Sequence, residues 1–274
     1  MEEFSSTQKN SFIRFIKGGL KLNMTAAIDF TGSNGSPIFP TSLHYLNSNT
    51  PNQYEVALQA ISKVLLSYDT DEKIPAFGFG AKTHTNGSLD PTSHCFPLSG
   101  NPQQVEAQGM EDFMNMYRRT LSNVELSGPA YFGEVFEEAL KLAEGFKNKG
   151  SSCYQILLIL TDGEIHDIDR CINLVKERGC NLPLSIIIVG MGEAKFEGMN
   201  RLDGDIGIFN KNRVSCPRDL VQFVPFRDVK MDGDLLAKRM LAELPTQIEQ
   251  YMHLDIKRPL KSGSKEASFA LKKC

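Results

Sequence analysis

Paired cysteines are missing from this sequence. Its six cysteines, Cys95, Cys153, Cys171, Cys180, Cys216 and Cys274, form no C-x-x-C pair, and no histidine stands at zinc-finger spacing from them. That excludes a zinc finger, and in a chain of 274 residues a disulfide framework is not expected. The expectation is six reduced thiols in a cytosolic protein. A basic excess is missing too: the formal net charge is -3, which gives no electrostatic footprint for nucleic acid. Met1 to Lys9 is polar and lacks the apolar stretch of a secretory signal. The longest apolar runs, such as Ile156–Leu160 and Ile186–Val189, are far too short to span a bilayer. Membrane contact is therefore expected to be peripheral. No P-loop is present, and Gly78-Phe79-Gly80 and Gly190-Met191-Gly192 stop short of G-x-G-x-x-G, so both read as turn glycines. No internal repeat or low-complexity linker divides the chain. The expected organisation is a lead-in helix in 1–19, one domain over 20–258 and a flexible basic tail over 259–274.

What is there is an ordinary globular composition, 41% hydrophobic and 23% charged, on a chain long enough for a large core. Apolar residues at spacings of three and four predict helices over Ser11–Lys17, Tyr54–Tyr68, Met110–Leu121, Phe132–Phe146 and Ile168–Val175. A final helix over Leu235–Met252 contains Pro245, which should kink or divide it. Leu22–Phe30, Ile74–Phe79, Tyr154–Leu160, Pro183–Val189 and Leu220–Phe226 read as strands, and Gly80–Pro102 as a polar loop region. The strands are continuous apolar runs, the mark of burial on both faces. Their alternation with amphipathic helices predicts an α/β fold: a doubly wound, mainly parallel sheet with helices on both faces.

In such sheets ligands bind at the carboxyl ends of the strands. Two of the strands end in aspartate, as Asp29-Phe30-Thr31-Gly32-Ser33 and as Thr161-Asp162-Gly163. A loop leaving a strand can aim Asp29, Thr31 and Ser33 at one centre, with Asp162 from the second loop. Two carboxylates with hydroxyls are a hard all-oxygen set, suited to Mg²⁺ or Mn²⁺, and neither element has a nearby His or Cys to favour zinc. Each motif alone has a plainer reading, an Asx or Ser/Thr turn bonding its own backbone.

The wording of these motifs resembles the copine family. Ala27-Ile28-Asp29-Phe30-Thr31-Gly32-Ser33-Asn34-Gly35, Pro40-Thr41-Ser42-Leu43-His44-Tyr45 and Pro75-Ala76-Phe77-Gly78-Phe79-Gly80-Ala81-Lys82 look like its successive blocks. So do Gly128-Pro129, Thr161-Asp162-Gly163, Leu184–Gly190, Asp219–Arg227 and Leu241–Pro245, all collinear between Phe12 and Met252. The resemblance implies a von Willebrand A-type fold with a metal-ion-dependent adhesion site, and a non-catalytic module that meets an intracellular protein partner through its metal-bearing face. It implies Asp29, Thr31, Ser33 and Asp162 as ligands to Mg²⁺ or Mn²⁺. The family's Gly-Pro-Thr-Asn-Phe block reads Gly128-Pro129-Ala130-Tyr131-Phe132 here, so the threonine position holds Ala130, leaving Ser127 or water to substitute. The family's Ca²⁺ and phospholipid binding belongs to C2 domains that these residues do not contain. In the full-length protein they would give calcium-dependent association of a cytoplasmic protein with the plasma membrane.

Two other functions fit parts of the sequence. A related A domain precedes a RING finger in a plant family of ubiquitin ligases, but no clustered Cys and His for RING zinc occur here. A metal-dependent phosphotransferase or hydrolase with Asp29 as nucleophile would want a second acid two positions on, where Thr31 stands. His166, close in sequence to Asp162 and Asp167, is a candidate general base without a nucleophile beside it. His84 and His94 read as solvated loop residues, and His44 as structural.

Overall fold

The computed structural model describes residues 12–65, 72–85, 87–207 and 216–256. A short helix α1 (12–17) leads into β1 (Lys21–Asp29), followed by α2 (Gln53–Leu65) and β2 (Lys73–Phe79). Short strands come next: β3 (Ala81–Thr85), β4 (Ser88–Ser93), β5 (Phe96–Pro97) and β6 (Glu106–Gln108). After them run α3 (Gly109–Asn123), β7 (Glu125–Leu126), α4 (Gly133–Asn148), β8 (Cys153–Thr161), α5 (Ile168–Glu177) and β9 (Leu184–Gly190). The described chain closes with α6 (Glu197–Gly207), β10 (Val221–Pro225), α7 (Gly233–Met240) and α8 (Leu244–Ile256).

The main sheet has the order β10-β9-β8-β1-β2-β5, with β6 also on β2. Five of its strands, β10-β9-β8-β1-β2, are parallel. β5 and β6 run antiparallel along the outer side of β2 and close that edge against further pairing. Side chains alternate between two core layers. Ile156, Leu158 and Leu160 of β8 enter one, with α2, α3, α7 and α8; Leu157 and Ile159 enter the other, with α4, α5 and α6. Burial on both faces is why the strands carry unbroken apolar runs. Phe12, Phe15 and Ile16 of α1 pack on the first layer. The expected doubly wound α/β architecture is the one observed.

From β1 the chain moves out to β2, then returns to β8 on the other flank of β1 and continues to β9 and β10. Strand order therefore reverses at β1, and the crevice of a doubly wound sheet opens at the carboxyl ends of β1 and β8. The helix bordering that crevice has a reciprocal cap: the Asn52 amide donates to Glu55 Oε2 (3.0 Å) and the Glu55 amide to Asn52 Oδ1 (2.9 Å) at the start of α2.

Three expectations need correction. Cys180 and Cys216 form a disulfide, with Cα atoms 5.3 Å apart and a sequence separation of 36, so not all six thiols are free. Cys180 lies in a turn after α5 and Cys216 just before β10; the packing of β9 beside β10 brings them together, and no spacing pattern announces that. Cys95, Cys153 and Cys171 are free, and Cys274 lies outside the described residues. The region 80–102 is not a loop but holds β3, β4 and β5; β3 (Ala-Lys-Thr-His-Thr) and β4 (Ser-Leu-Asp-Pro-Thr-Ser) are mostly polar, without apolar alternation, which hid them. Helix α6, which sequence periodicity did not suggest, carries several glycines and is anchored by buried Met199 and Leu202. The closing helix does divide, into α7 and α8, with Pro245 in the first turn of α8 where a missing N–H costs nothing. Tyr68 and the 259–274 tail fall outside the described residues.

Candidate metal centre

Asp29 ends β1 and Thr161 ends β8, one step beyond the registered pair Ile28 and Leu160. The two following loops therefore leave the sheet side by side. Asp29 is fully buried. Its Oδ1 accepts the Thr31 amide (2.8 Å) and the Thr31 hydroxyl (2.6 Å), and its Oδ2 accepts the Thr161 hydroxyl (2.6 Å) and the Asp162 amide (3.4 Å). Asp162 Oδ1 accepts from Ser33 Oγ at 2.9 Å and lies 3.3 Å from Thr31 Oγ1. The Thr31 and Ser33 hydroxyl oxygens are 2.9 Å apart. Asp29, Thr31, Ser33 and Asp162 are thus brought together as one oxygen cluster, from loops more than 100 residues apart.

The cluster is short of positive charge. Thr31 and Ser33 bring one hydroxyl hydrogen each; Thr31 gives its own to Asp29 and Ser33 its own to Asp162. Burial raises the Asp29 carboxyl above its ordinary range. Burial first, and then the Asp29 charge, pushes Asp162 up to about 7. Two buried carboxylates in contact disfavour double ionisation unless a proton or a cation joins them. The donor set is hard oxygen throughout, so Asp29, Thr31, Ser33 and Asp162 fit Mg²⁺ or Mn²⁺.

Ser127 stands beside the cluster. The Ser127 backbone is bridged to Thr31: its carbonyl accepts the Gly32 amide (2.6 Å), and its own amide donates to Gly80 O (2.9 Å). Its hydroxyl pairs with Thr92 Oγ1 at 2.8 Å. Ala130 is buried in the second core layer and offers only its carbonyl, which accepts the His166 amide (3.0 Å). Gly80 is a turn glycine at φ +76, and a Cβ there would stand 2.3 Å from Thr31 Cγ2, so the loop can approach only because that position is glycine.

The histidines and acids outside the oxygen cluster have other partners. Asp167 receives the Phe132 and Gly133 amides, both at 2.9 Å, and so satisfies the start of α4. His166 meets the edge of Tyr131, and His94 packs on the same ring. His84 is exposed and reaches Asn123 O. Sequence reasoning gave no role to the Thr161 hydroxyl or to Asn34, whose amide group lies 3.2 Å from Thr31 O and 3.5 Å from Asp29 Oδ1. Thr161 opens the Thr161-Asp162-Gly163 motif, but its reach to Asp29 depends on the β1–β8 register.

The fold and this rim define a class: an α/β domain with an acid-and-hydroxyl oxygen cluster at the switch point of a doubly wound sheet. The chain belongs to the copine family, whose model, described as Copine, matches residues 42–260. Protein BONZAI 1 of Arabidopsis thaliana is 39% identical over 264 residues, 95% of this chain and 45% of that protein. The chain therefore spans less than half the length of this relative. Among solved structures, the manganese-loaded TRAP protein of Plasmodium vivax aligns at a TM-score of 0.43 and 16% identity, over 81% of this chain and 74% of its own. A von Willebrand factor type A protein from Catenulispora acidiphila aligns at 0.41 and 15%, over 84% of this chain and 42% of its own.

Proposed function

We propose that this chain is a non-catalytic recognition module that holds Mg²⁺ or Mn²⁺ among Asp29, Thr31, Ser33 and Asp162 and docks a protein partner at that rim. The observation that supports it is the convergence of four oxygens, two of them from buried carboxylates whose hydrogen-bond donors are neutral hydroxyls and amides. The ion, when bound, supplies positive charge and a coordination position for a partner's carboxylate. The chain's own part is to orient the oxygens: Thr161 and the Thr31 amide fix the two Asp29 oxygens, and Ser33 fixes Asp162. Ala130 removes one direct oxygen, so affinity is lower than a threonine would give, with Ser127 or water as the substitute. Catalysis is not part of this reading, because the position two after Asp29 is a threonine and His166 is turned to Tyr131.

We further propose that in a full-length copine this module recruits partners to membranes, with Ca²⁺ and phospholipid handled by C2 domains outside these residues. The location is then the cytoplasm, with calcium-dependent association to the plasma membrane. Titration calorimetry with Mg²⁺, Mn²⁺ and Ca²⁺ on the parent, Asp29→Ala and Ala130→Thr proteins tests the module's own role. Heat that vanishes in the first variant and tightens in the second supports it; identical heats in all three proteins would remove the metal from the account.

A further inference from the structure

The Pro40–Tyr45 block supplies no ligand, yet it places a fully buried imidazole directly behind Asp29. His44 Nε2 lies 2.8 Å from the Asp29 carbonyl oxygen. A carbonyl only accepts, so Nε2 carries the proton and Nδ1 is left as an acceptor. The Tyr117 hydroxyl of α3, 2.9 Å from Nδ1, donates to it, and itself accepts from Asn52 Nδ2 at 3.2 Å, the residue that caps α2. The ring is stacked between Phe30 (5.3 Å, 14°) and Tyr54 (4.2 Å, 27°). Tyr54 makes a second connection, its hydroxyl donating to Asn34 Oδ1 at 2.6 Å, while the Asn34 amide group lies 3.2 Å from the Thr31 carbonyl. The loop carrying Thr31 and Ser33 is thus held from α2 and α3 at both its start and its end.

We infer that His44 is the positioning residue of the cluster: as the Nε2–H tautomer it ties the main chain of Asp29 to Tyr117, and thereby fixes the Asp29 carboxylate and the 31–35 loop in the arrangement an ion needs. The tether stands on these hydrogen bonds; its consequence for an ion rests on the metal reading above. An inner-sphere oxygen cannot be pre-oriented by its own short side chain if the strand end behind it can shift, and outer-shell partners of ligands commonly govern affinity for this reason. A ring that merely fills space would need neither nitrogen.

The full chain is compared with His44→Phe, which keeps a stacked ring without its nitrogens, Tyr117→Phe, which removes one hydroxyl, and His44→Gln, whose amide can still donate to the Asp29 carbonyl. Val175→Ala, in the opposite core layer, is the control for simple loss of stability. In ion-free protein, hydrogen exchange at the Thr31, Gly32, Asn34 and Gly35 amides should quicken about tenfold in His44→Phe and Tyr117→Phe, stay near the parent rate in His44→Gln, and not change locally in Val175→Ala. Mn²⁺ affinity should fall about tenfold in the first two and recover in the third. Nitrogen chemical shifts of the parent should show a protonated Nε2 and a bare Nδ1 on His44. Parent-like exchange in both Phe variants, or an Nδ1–H tautomer, overturns the tether. Should His44→Phe fail to fold, Tyr117→Phe alone decides by the same readings. If the parent takes up no Mn²⁺, the metal reading fails by itself, and the exchange rates and nitrogen shifts still decide whether His44 positions the loop.

Discussion

Two carboxylate clusters lie in this molecule, and they are built differently. Asp203 of α6, Asp219 before β10 and Glu243 before α8 bring carboxylate oxygens within 4.8 Å of one another. The cluster of Asp29 and Asp162 has one carboxylate fewer. Yet it is the smaller group that receives three side-chain hydroxyls, from Thr31, Ser33 and Thr161, and lies at the carboxyl ends of parallel strands. Among the described residues, the larger group receives backbone amides of Leu220, Val221 and Phe223 and a long contact from Gln247. Burial, reinforced by neighbouring carboxylates, raises Asp203 to about 6 and Glu243 to about 7. The Asp29 rim interleaves neutral oxygens with its acids at a strand end held from behind, and the second group crowds three acids together.

The comparison breaks first at Asp29. Asp29→Ala should abolish Mn²⁺ uptake, a loss of more than about a hundredfold measurable by calorimetry, whereas Asp219→Ala should leave it within about twofold, because ligand identity governs affinity. Next in size is Gly80→Ala: with its Cβ 2.3 Å from Thr31 Cγ2 and φ at +76, thermal or denaturant melting should show a cost of about 2 kcal/mol together with weaker ion binding. Ala130→Thr should act in the opposite sense, tightening Mg²⁺ by about tenfold in the same titration by restoring an oxygen.

A smaller effect separates the clusters by pH. Asp162, Asp203 and Glu243 have folded-state values raised to about 7, about 6 and about 7, so their stability contribution is complete at acid pH and is lost as pH rises through that range, and burial raises Asp29 and Asp219 in the same direction. The melting temperature of ion-free protein should therefore fall between about pH 5 and about pH 8. Saturating Mg²⁺ should restore the part owed to Asp29 and Asp162, and Asp203→Asn the part owed to the other cluster. A fall that Mg²⁺ leaves untouched would mean that the two clusters do not differ. The smallest effect is at the surface: Lys82→Ala, breaking the exposed pair with Glu125 (2.7 Å), should cost about 0.5 kcal/mol or less and leave both clusters unchanged.

The same contrast explains what was legible in the sequence. The Asp29-x-Thr31-x-Ser33 spacing and the strand-terminal Asp162 are local signals, and the doubly wound order makes them neighbours. The parallel strands announced themselves through apolar runs because both faces are buried. What stayed hidden depends on register or on distant packing. Thr161 reaches Asp29 only because β8 lies beside β1 with Leu160 opposite Ile28. His44 reads as one structural histidine until Tyr117, 73 residues away, is seen to bond it. The Cys180–Cys216 pair and the three acids of the second cluster likewise join separate segments around β9, α6 and β10. The strands β3 and β4 were missed for a different reason, since they are mostly polar and β4 has no buried residue to write an alternating pattern.

The most direct test of the central claim is anomalous scattering from crystals of the full chain grown with Mn²⁺. The account predicts a manganese peak among Asp29, Thr31, Ser33 and Asp162, and none among Asp203, Asp219 and Glu243. A peak confined to the second cluster, or none at the Asp29 rim at saturating Mn²⁺, would contradict it.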